Sequence, residues 1–307
     1  MLRSTLLAVS RNDAVRRAMV AFPPTRHVVE RFVAGETVDD CLRAVRGLAD
    51  AGLLATIDHL GEDTTTEAQA TATTEAYLTL LERLSAEGPT GVAEVSVKLT
   101  AVGLALPGGA EIATRNVQRI CAAAGAVGTT VTIDMEDHTT TDATLALVDR
   151  VRVDYPETGT VLQAYLHRTP ADCRRYATAG SRIRLCKGAY DEPASVAIRD
   201  RAGVDAAYLA CLRILMKGEG YPMVASHDPH MIEAALGYAE LVGRGPDEYE
   251  LQMLYGIRAD EQRRLAALGH RVRVYVPYGT DWYGYFTRRL AERPANLLFF
   301  GRALVGH

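Results

Sequence analysis

Arg182-Ile183-Arg184-Leu185-Cys186-Lys187, then the alanine- and leucine-rich stretch Val196–Lys217, then Met223-Val224-Ala225-Ser226-His227, reads as a strand, a helix and a second strand. Short β-rich runs of the same kind recur on both sides: Leu54–His59, Glu94–Leu99, Thr130–Met135, Val161–Leu166, Glu250–Leu254 and Val272–Val276. Segments with helical periodicity lie between most of them, among them Glu111–Ala126, Thr141–Val153 and His230–Val242. Eight strands, each followed by a helix, predict an α/β fold, a (β/α)8 barrel of the TIM type. A doubly wound open sheet is the competing arrangement, but it has fewer strands.

Working outward, residues 1–50 form an N-terminal helical extension and residues 51–307 the barrel, with a C-terminal helix over its mouth. Met1–Ser10 has a short apolar run, but Arg11-Asn12-Asp13-Ala14-Val15-Arg16-Arg17 follows with no small-residue cleavage site, so an amphipathic helix fits better than a signal peptide. The threonine-rich stretch Thr64–Thr74 fits the capped start of a helix. Apolar residues make up 48% of the 307, enough for a sizeable core. The net charge of -4, with both signs interspersed, leaves no basic footprint for nucleic acid. No run approaches the ~20 apolar residues that span a bilayer. Five cysteines, odd in number and without a C-x-x-C, argue for reduced thiols in a cytoplasm.

Polar residues gather where the strands finish: Asp58, His59, Lys98, Asp134, Glu136, Gln163, Arg184, Lys187, Ser226, His227, Gln252 and Tyr275. A barrel's interior is expected to be apolar and its active site to sit at the strand ends. Any one of these residues is explained by approach to solvent. The set is not, because charged groups within strands are costly unless paired or used. The ring therefore points to an enzyme.

After the eighth strand, Pro277-Tyr278-Gly279-Thr280-Asp281 leads into a last helix reading Trp282-Tyr283-Gly284-Tyr285-Phe286-Thr287-Arg288-Arg289-Leu290-Ala291-Glu292. Tyr285, Arg288, Arg289 and Glu292 share one arc of that helix, beside an apolar stripe of Trp282, Phe286 and Leu290. Two guanidiniums beside an aromatic ring and a carboxylate suit a small amino acid, whose carboxylate they grip by paired hydrogen bonds. A solvated face with an Arg288–Glu292 pair explains the spacing equally well.

The segment Arg184-Leu185-Cys186-Lys187-Gly188-Ala189-Tyr190, together with Tyr285-x-x-Arg288-Arg289-x-x-Glu292, resembles the signature pair of the proline dehydrogenase family. The likeness runs from about Asp58 to Ala303, most of the barrel. It implies a distorted barrel that holds FAD at the C-terminal ends of its strands, which accounts for the lack of a G-x-G-x-x-G fingerprint. It further implies oxidation of L-proline to 1-pyrroline-5-carboxylate, the first step of proline catabolism, with electrons passing from FAD to a membrane quinone.

By that resemblance Arg288, Arg289 and Lys98 hold the substrate carboxylate. Tyr190, Tyr275, Tyr285 and Leu254 wall the ring, and Glu292 stands near the substrate and its ion pairs. Arg184 lies beside the flavin as a catalytic and cofactor-binding residue, and Asp134 acts through a hydrogen bond to Tyr275. Met135 and Gln163 lie against the isoalloxazine, while Lys187, Gly188, Ala189, Ser226 and His227 contact the cofactor. Cys186 replaces the family's apolar residue and is expected to point away from the flavin; Ser226 and Asp228 replace Thr and Asn.

The resemblance also implies a partner aldehyde dehydrogenase for the product and a monofunctional enzyme. It fits a cytoplasmic location with room for peripheral contact at the inner face of the plasma membrane, no nucleic-acid partner and no metal. The rival readings are a metal-dependent hydrolase using Asp58-His59, His138 and His227-x-x-His230, a Schiff-base aldolase using Lys98 or Lys187, and a barrel that binds without turnover.

Overall fold

The computed structural model describes residues 29–62, 64–89 and 91–292, apart from the side chains of residues 288 and 290–292. The helix expected at Met1–Ser10 and the expected roles of the Arg288, Leu290 and Glu292 side chains lie outside what it describes. The elements run α1 Val38–Asp50, β1 Leu54–His59, α2 Glu67–Glu87, β2 Ala93–Val97, α3 Gly109–Ala126, β3 Val131–Ile133, α4 Thr141–Val151, β4 Gly159–Gln163, α5 Thr169–Tyr176, β5 Arg182–Cys186, α6 Arg201–Lys217, β6 Tyr221–Ala225, α7 Pro229–Val242, β7 Glu250–Leu254, α8 Ala259–Ala267, β8 Val272–Tyr278 and α9 Trp282–Glu292. All eight strands pair in parallel with their sequence neighbours, and β8 returns to β1 to close the barrel, placing Thr56 beside Tyr275 and Asp58 beside Pro277. The eight-stranded barrel expected from the alternation is therefore present.

Helix α2 begins where its threonines allow. Thr66 caps it by accepting from the Gln69 N–H, and the Gln69 side chain accepts from the Thr66 N–H, a reciprocal capping box. Helix α1 packs across the seam of β8 and β1, the place in the outer ring left vacant when α9 goes elsewhere. Helix α9 buries Trp282, Tyr283, Tyr285 and Phe286 in a second apolar cluster with Val29, Phe32, Val33 and Leu60. Among the described residues no helix is long and apolar enough to cross a membrane.

Most element limits shift by a few residues from the sequence reading, and two of the shifts have a plain cause. Strand β4 spans Gly159–Gln163, not Val161–Leu166. Tyr165 and Leu166 instead bond to the long segment after β5: the Ile198 N–H donates to the Tyr165 carbonyl at 2.8 Å, and Leu166 forms an isolated bridge with Ala197. Helix α6 starts at Arg201, not at Val196, because Asp200 caps it by accepting from the Gly203 N–H at 2.7 Å.

The barrel interior departs further from expectation. Alternate strand residues such as Ile57, Val95, Ile133, Leu185, Val224, Leu251 and Val274 join the main apolar core. The opposite parity carries Thr56, Glu94, Ser96, Thr132, Arg182, Arg184, Glu250, Gln252 and Arg273, which bond to one another across the strands. Arg182 donates to Glu94 at 2.6 Å, Arg273 to Glu250 at 2.7 Å, and Arg184 to Gln252 at 2.6 Å. The interior is thus a polar lattice and not an apolar plug. Its charges tolerate burial because each is paired and hydrogen-bonded.

Candidate active site

Above this lattice, at the C-terminal ends of the strands, opens a cavity of about 710 Å³, within the usual range for cofactor and ligand sites. Its floor is Arg184 on β5, only 5% exposed. Four groups fix the guanidinium: Asp134 Oδ1 at 2.5 Å, Gln252 Oε1 at 2.6 Å, Ser96 Oγ at 3.0 Å and Thr56 Oγ1 at 3.3 Å. A side chain with this many partners has one rotamer, so its charge is presented to the cavity in a set direction.

Lys98 follows β2 and is buried, donating to Asp58 and lying 3.9 Å from Asp134. Burial alone would lower its pKa, but the carboxylates of Asp58 and Asp134 overcome this and hold it above the ordinary lysine value. It therefore stays an ammonium, the opposite of what a Schiff-base nucleophile needs. Tyr275 on β8 has its ring under both cations, 5.4 Å from the Arg184 guanidinium carbon and 5.9 Å from the Lys98 ammonium. Its hydroxyl donates toward Asp134 Oδ2 at 2.8 Å, the bond expected from the sequence, and lies as close to Asp58.

The other walls come from strand ends and loops. Leu254 closes β7, and Met135 and Gln163 extend β3 and β4, with Gln163 anchored by donating to the Glu136 carbonyl at 2.7 Å. The segment after β5 brings Lys187, Gly188, Ala189 and Tyr190 to the rim. Lys187 is held between Asp205 at 2.5 Å and Asp228 at 2.9 Å. Desolvation opposes its charge, but these two carboxylates raise its pKa above the ordinary value. Gly188 has φ +116°, and an added Cβ would lie 2.3 Å from the Tyr165 ring, so both the backbone and the packing exclude a side chain. Ser226 Oγ accepts from the Asp228 N–H, and His227 Nε2 accepts from the Leu254 N–H at 2.9 Å, which places the proton of a neutral ring on Nδ1. From above, α9 contributes Tyr285 and Arg289, the guanidinium 5.1 Å from the tyrosine ring centre.

The cavity thus collects Lys98, Asp134, Met135, Gln163, Arg184, Lys187, Gly188, Ala189, Tyr190, Ser226, His227, Leu254, Tyr275, Tyr285 and Arg289. One expectation is corrected. Cys186 lines the cavity and does not point away from it, because it lies two residues from Arg184 and shares that face of the strand. Burial raises its thiol pKa to about 12, so it is a wall and not a nucleophile.

Sequence reading gave no site role to Tyr165, Glu192 or Asp205, and placed Asp58 only in the strand-end ring and in the rival metal set. Asp58 was visible as a strand-end acid. Glu192 bonds to the His138 N–H at 2.8 Å and also to its ring, a link that no local spacing announces. Among the described residues no group of three His, Cys, Asp or Glu side chains gathers as a metal site.

Comparison with known proteins agrees with this architecture. A family model described as proline dehydrogenase matches residues 41–302. The chain is 38% identical over 305 residues to proline dehydrogenase 1 of Bacillus subtilis (strain 168), covering 99% of each. It is 39% identical over 308 residues to the proline dehydrogenase of Deinococcus radiodurans, covering 99% of this chain and 97% of that one. Among solved structures, proline utilization A (PutA) from Bdellovibrio bacteriovorus, inactivated by N-propargylglycine, shares the fold with a TM-score of 0.81 at 24% identity. That alignment covers 94% of this chain but 36% of the longer protein, so the chain spans about a third of it. A closed parallel barrel, a cation-floored cavity at its strand ends and full-length likeness to two curated enzymes lead to one conclusion: the chain belongs to the proline dehydrogenase family, enzymes that oxidise proline.

Proposed function

We propose that the chain oxidises L-proline to 1-pyrroline-5-carboxylate by hydride transfer to FAD, with a quinone as the onward electron acceptor. The observation that carries this reading is the meeting of Lys98, Arg184 and Arg289 with Tyr190, Tyr275 and Tyr285 around one cavity. Three cations with aromatic walls match a small, partly apolar carboxylate.

The residues present also suit FAD. An anionic dinucleotide meets Lys187, Arg199 and Arg201 along the same cavity, and Gly188 keeps the adjoining backbone clear of side chains. When bound, FAD supplies the hydride acceptor. The chain's own groups do the rest. Arg289 and Lys98 grip the substrate carboxylate, with Arg288 as the expected second guanidinium of the clamp. Tyr190, Tyr275, Tyr285 and Leu254 bracket the ring and keep water from the reacting carbon. Arg184, locked by Asp134 and Gln252, stabilises negative charge that develops above it without having to reorganise. Met135, Gln163, Ser226 and His227 complete the cofactor's surroundings.

The test is direct. The purified protein is expected to be yellow, and anaerobic L-proline is expected to bleach its flavin band. A colourless protein that binds no added FAD, or a flavin band that proline leaves unchanged, overturns the reading.

A further inference from the structure

The segment between β5 and α6 crosses the rim of the cavity. From Ala189 to Ser195 only Glu192 is buried, 5% exposed, while Ala189, Asp191, Pro193, Ala194 and Ser195 face solvent. The one residue turned inward is thus a carboxylate and not an apolar anchor, and a buried charge is costly unless it is paired or used. Both of its oxygens go to one residue of another loop. Oε1 accepts from the His138 N–H at 2.8 Å, and Oε2 bonds to ring Nδ1 of the same histidine. His138 stands four residues after Asp134, in a turn that Asp137 closes by accepting from the Thr139 N–H at 2.9 Å. Strand β4 separates β3 from β5, so no strand ladder joins these two loops. From the end of β4, the Tyr165 hydroxyl receives the Tyr190 N–H and donates toward Glu192 Oε1, 3.5 Å away.

We propose that Glu192 is a positioning residue for proline oxidation: its grip on His138 ties the rim segment that carries Gly188, Ala189 and Tyr190 to the loop that carries Asp134 and Met135. Both loops line the cavity. The inference rests on the proline and flavin reading of that cavity proposed above.

Other bonds shape the segment without making this tie. Arg199 closes it on itself, donating to Asp191 Oδ1 at 2.9 Å and to the Glu192 carbonyl at 3.1 Å. Farther along, main-chain bonds pin it to the residues after β4, with the His167 N–H donating to the Val196 carbonyl at 2.9 Å and the Ile198 N–H to the Tyr165 carbonyl at 2.8 Å. Without the Glu192 side chain nothing in that set reaches the loop after β3. The segment then has more conformations open to it, and substrate and cofactor must select the one that places Tyr190 and the Gly188 backbone. Apparent affinity falls with the fraction of the population that holds that arrangement. Arg184 and Lys98 are fixed by partners of their own, so the bound complex keeps its electrostatics.

Glu192→Ala removes both acceptors. In the flavin-loaded variant, KM for proline is expected to rise on the order of tenfold with kcat within about twofold, the pattern of lost ground-state binding. FAD release, followed by flavin fluorescence after dilution, is expected to quicken on the order of tenfold. The His138 amide and residues 189–195 are expected to exchange hydrogen faster than in the wild type. Glu192→Gln keeps an acceptor for the His138 N–H and offers an amide hydrogen to Nδ1 in the other ring tautomer, so it is expected to recover most of each loss. A merely structural anchor lowers the melting temperature and leaves KM and FAD release unchanged well below it. That result overturns the proposal, as does unchanged exchange, or a Glu192→Gln variant no better than the alanine one. If Glu192→Ala fails to fold, His138→Ala carries the test. It removes the ring half of the grip, KM and FAD release are expected to shift in the same direction, and wild-type values there overturn the proposal. Exchange and FAD release need no turnover, so failure of proline to bleach the flavin counts against the reading of the site and not against the tie.

Discussion

Arg289 is the cation that the final helix brings to the cavity, stacked on Tyr285. A charge-assisted hydrogen bond contributes about 1.5–3 kcal/mol, so Arg289→Met is expected to lower kcat/KM for proline by about 10- to 100-fold. The loss should appear chiefly in KM while the flavin absorbance per mole of protein is unchanged. Gly188→Ala makes a different prediction. Its methyl group has no room beside the Tyr165 ring, so the Lys187–Tyr190 segment must shift. The variant is expected to be purified with depleted flavin and a circular dichroism spectrum like that of the wild type. Full flavin occupancy would show that this segment does not shape the cofactor site. At this scale the sequence was legible wherever parity or a helical arc gathered residues, as with Arg184, Tyr285 and Arg289. The partners of Asp58 and the part played by Glu192 were not, because closure of the barrel and a long loop bring those groups together.

Among the elements, α2 shows how a local signal sets a boundary with no help from the site. Thr66→Ala removes a capping box on the outer face and is expected to cost about 1 kcal/mol. The melting temperature should fall by a few degrees with KM for proline unchanged, checked by thermal unfolding and steady-state kinetics. Strands β1 and β7 were read from the chain at their observed limits. Strand β4 was placed two residues late at its start and three at its end because Tyr165 and Leu166 are as strand-like as their neighbours, yet pair with the loop that reaches Ala197. Helix α6 started late for a similar reason: Val196 and Ala197 have the right composition, but Asp200 supplies the cap.

For the molecule as a whole, the polar lattice inside the barrel ties stability to pH. Burial opposes the charge of Glu94, but Arg273, Arg182 and Arg184 hold its pKa down from 4.5 to about 2. A depressed carboxylate pKa gives stability that is fully present above the unfolded value and is lost as pH falls toward the folded one. The urea midpoint is therefore expected to drop between pH 4.5 and about 2. Glu94→Gln is expected to flatten that limb. At neutral pH it leaves buried guanidiniums partly uncompensated and is expected to cost about 3–5 kcal/mol. A variant with the wild-type acid profile would show that the lattice is not the source.

By itself the sequence determined the count and order of the strands, their alternation with helices, the parallel barrel and the residues that resemble a proline-oxidising site. Each is written in short-range periodicity or in a motif within one element. Only the tertiary structure decided that the barrel's inner face is ionic, that α1 closes the seam of β8 and β1, and that one phenol lies between two acids. Those features join residues from as many as six strands, and a pairing across a closed sheet leaves no trace in the spacing of any single strand.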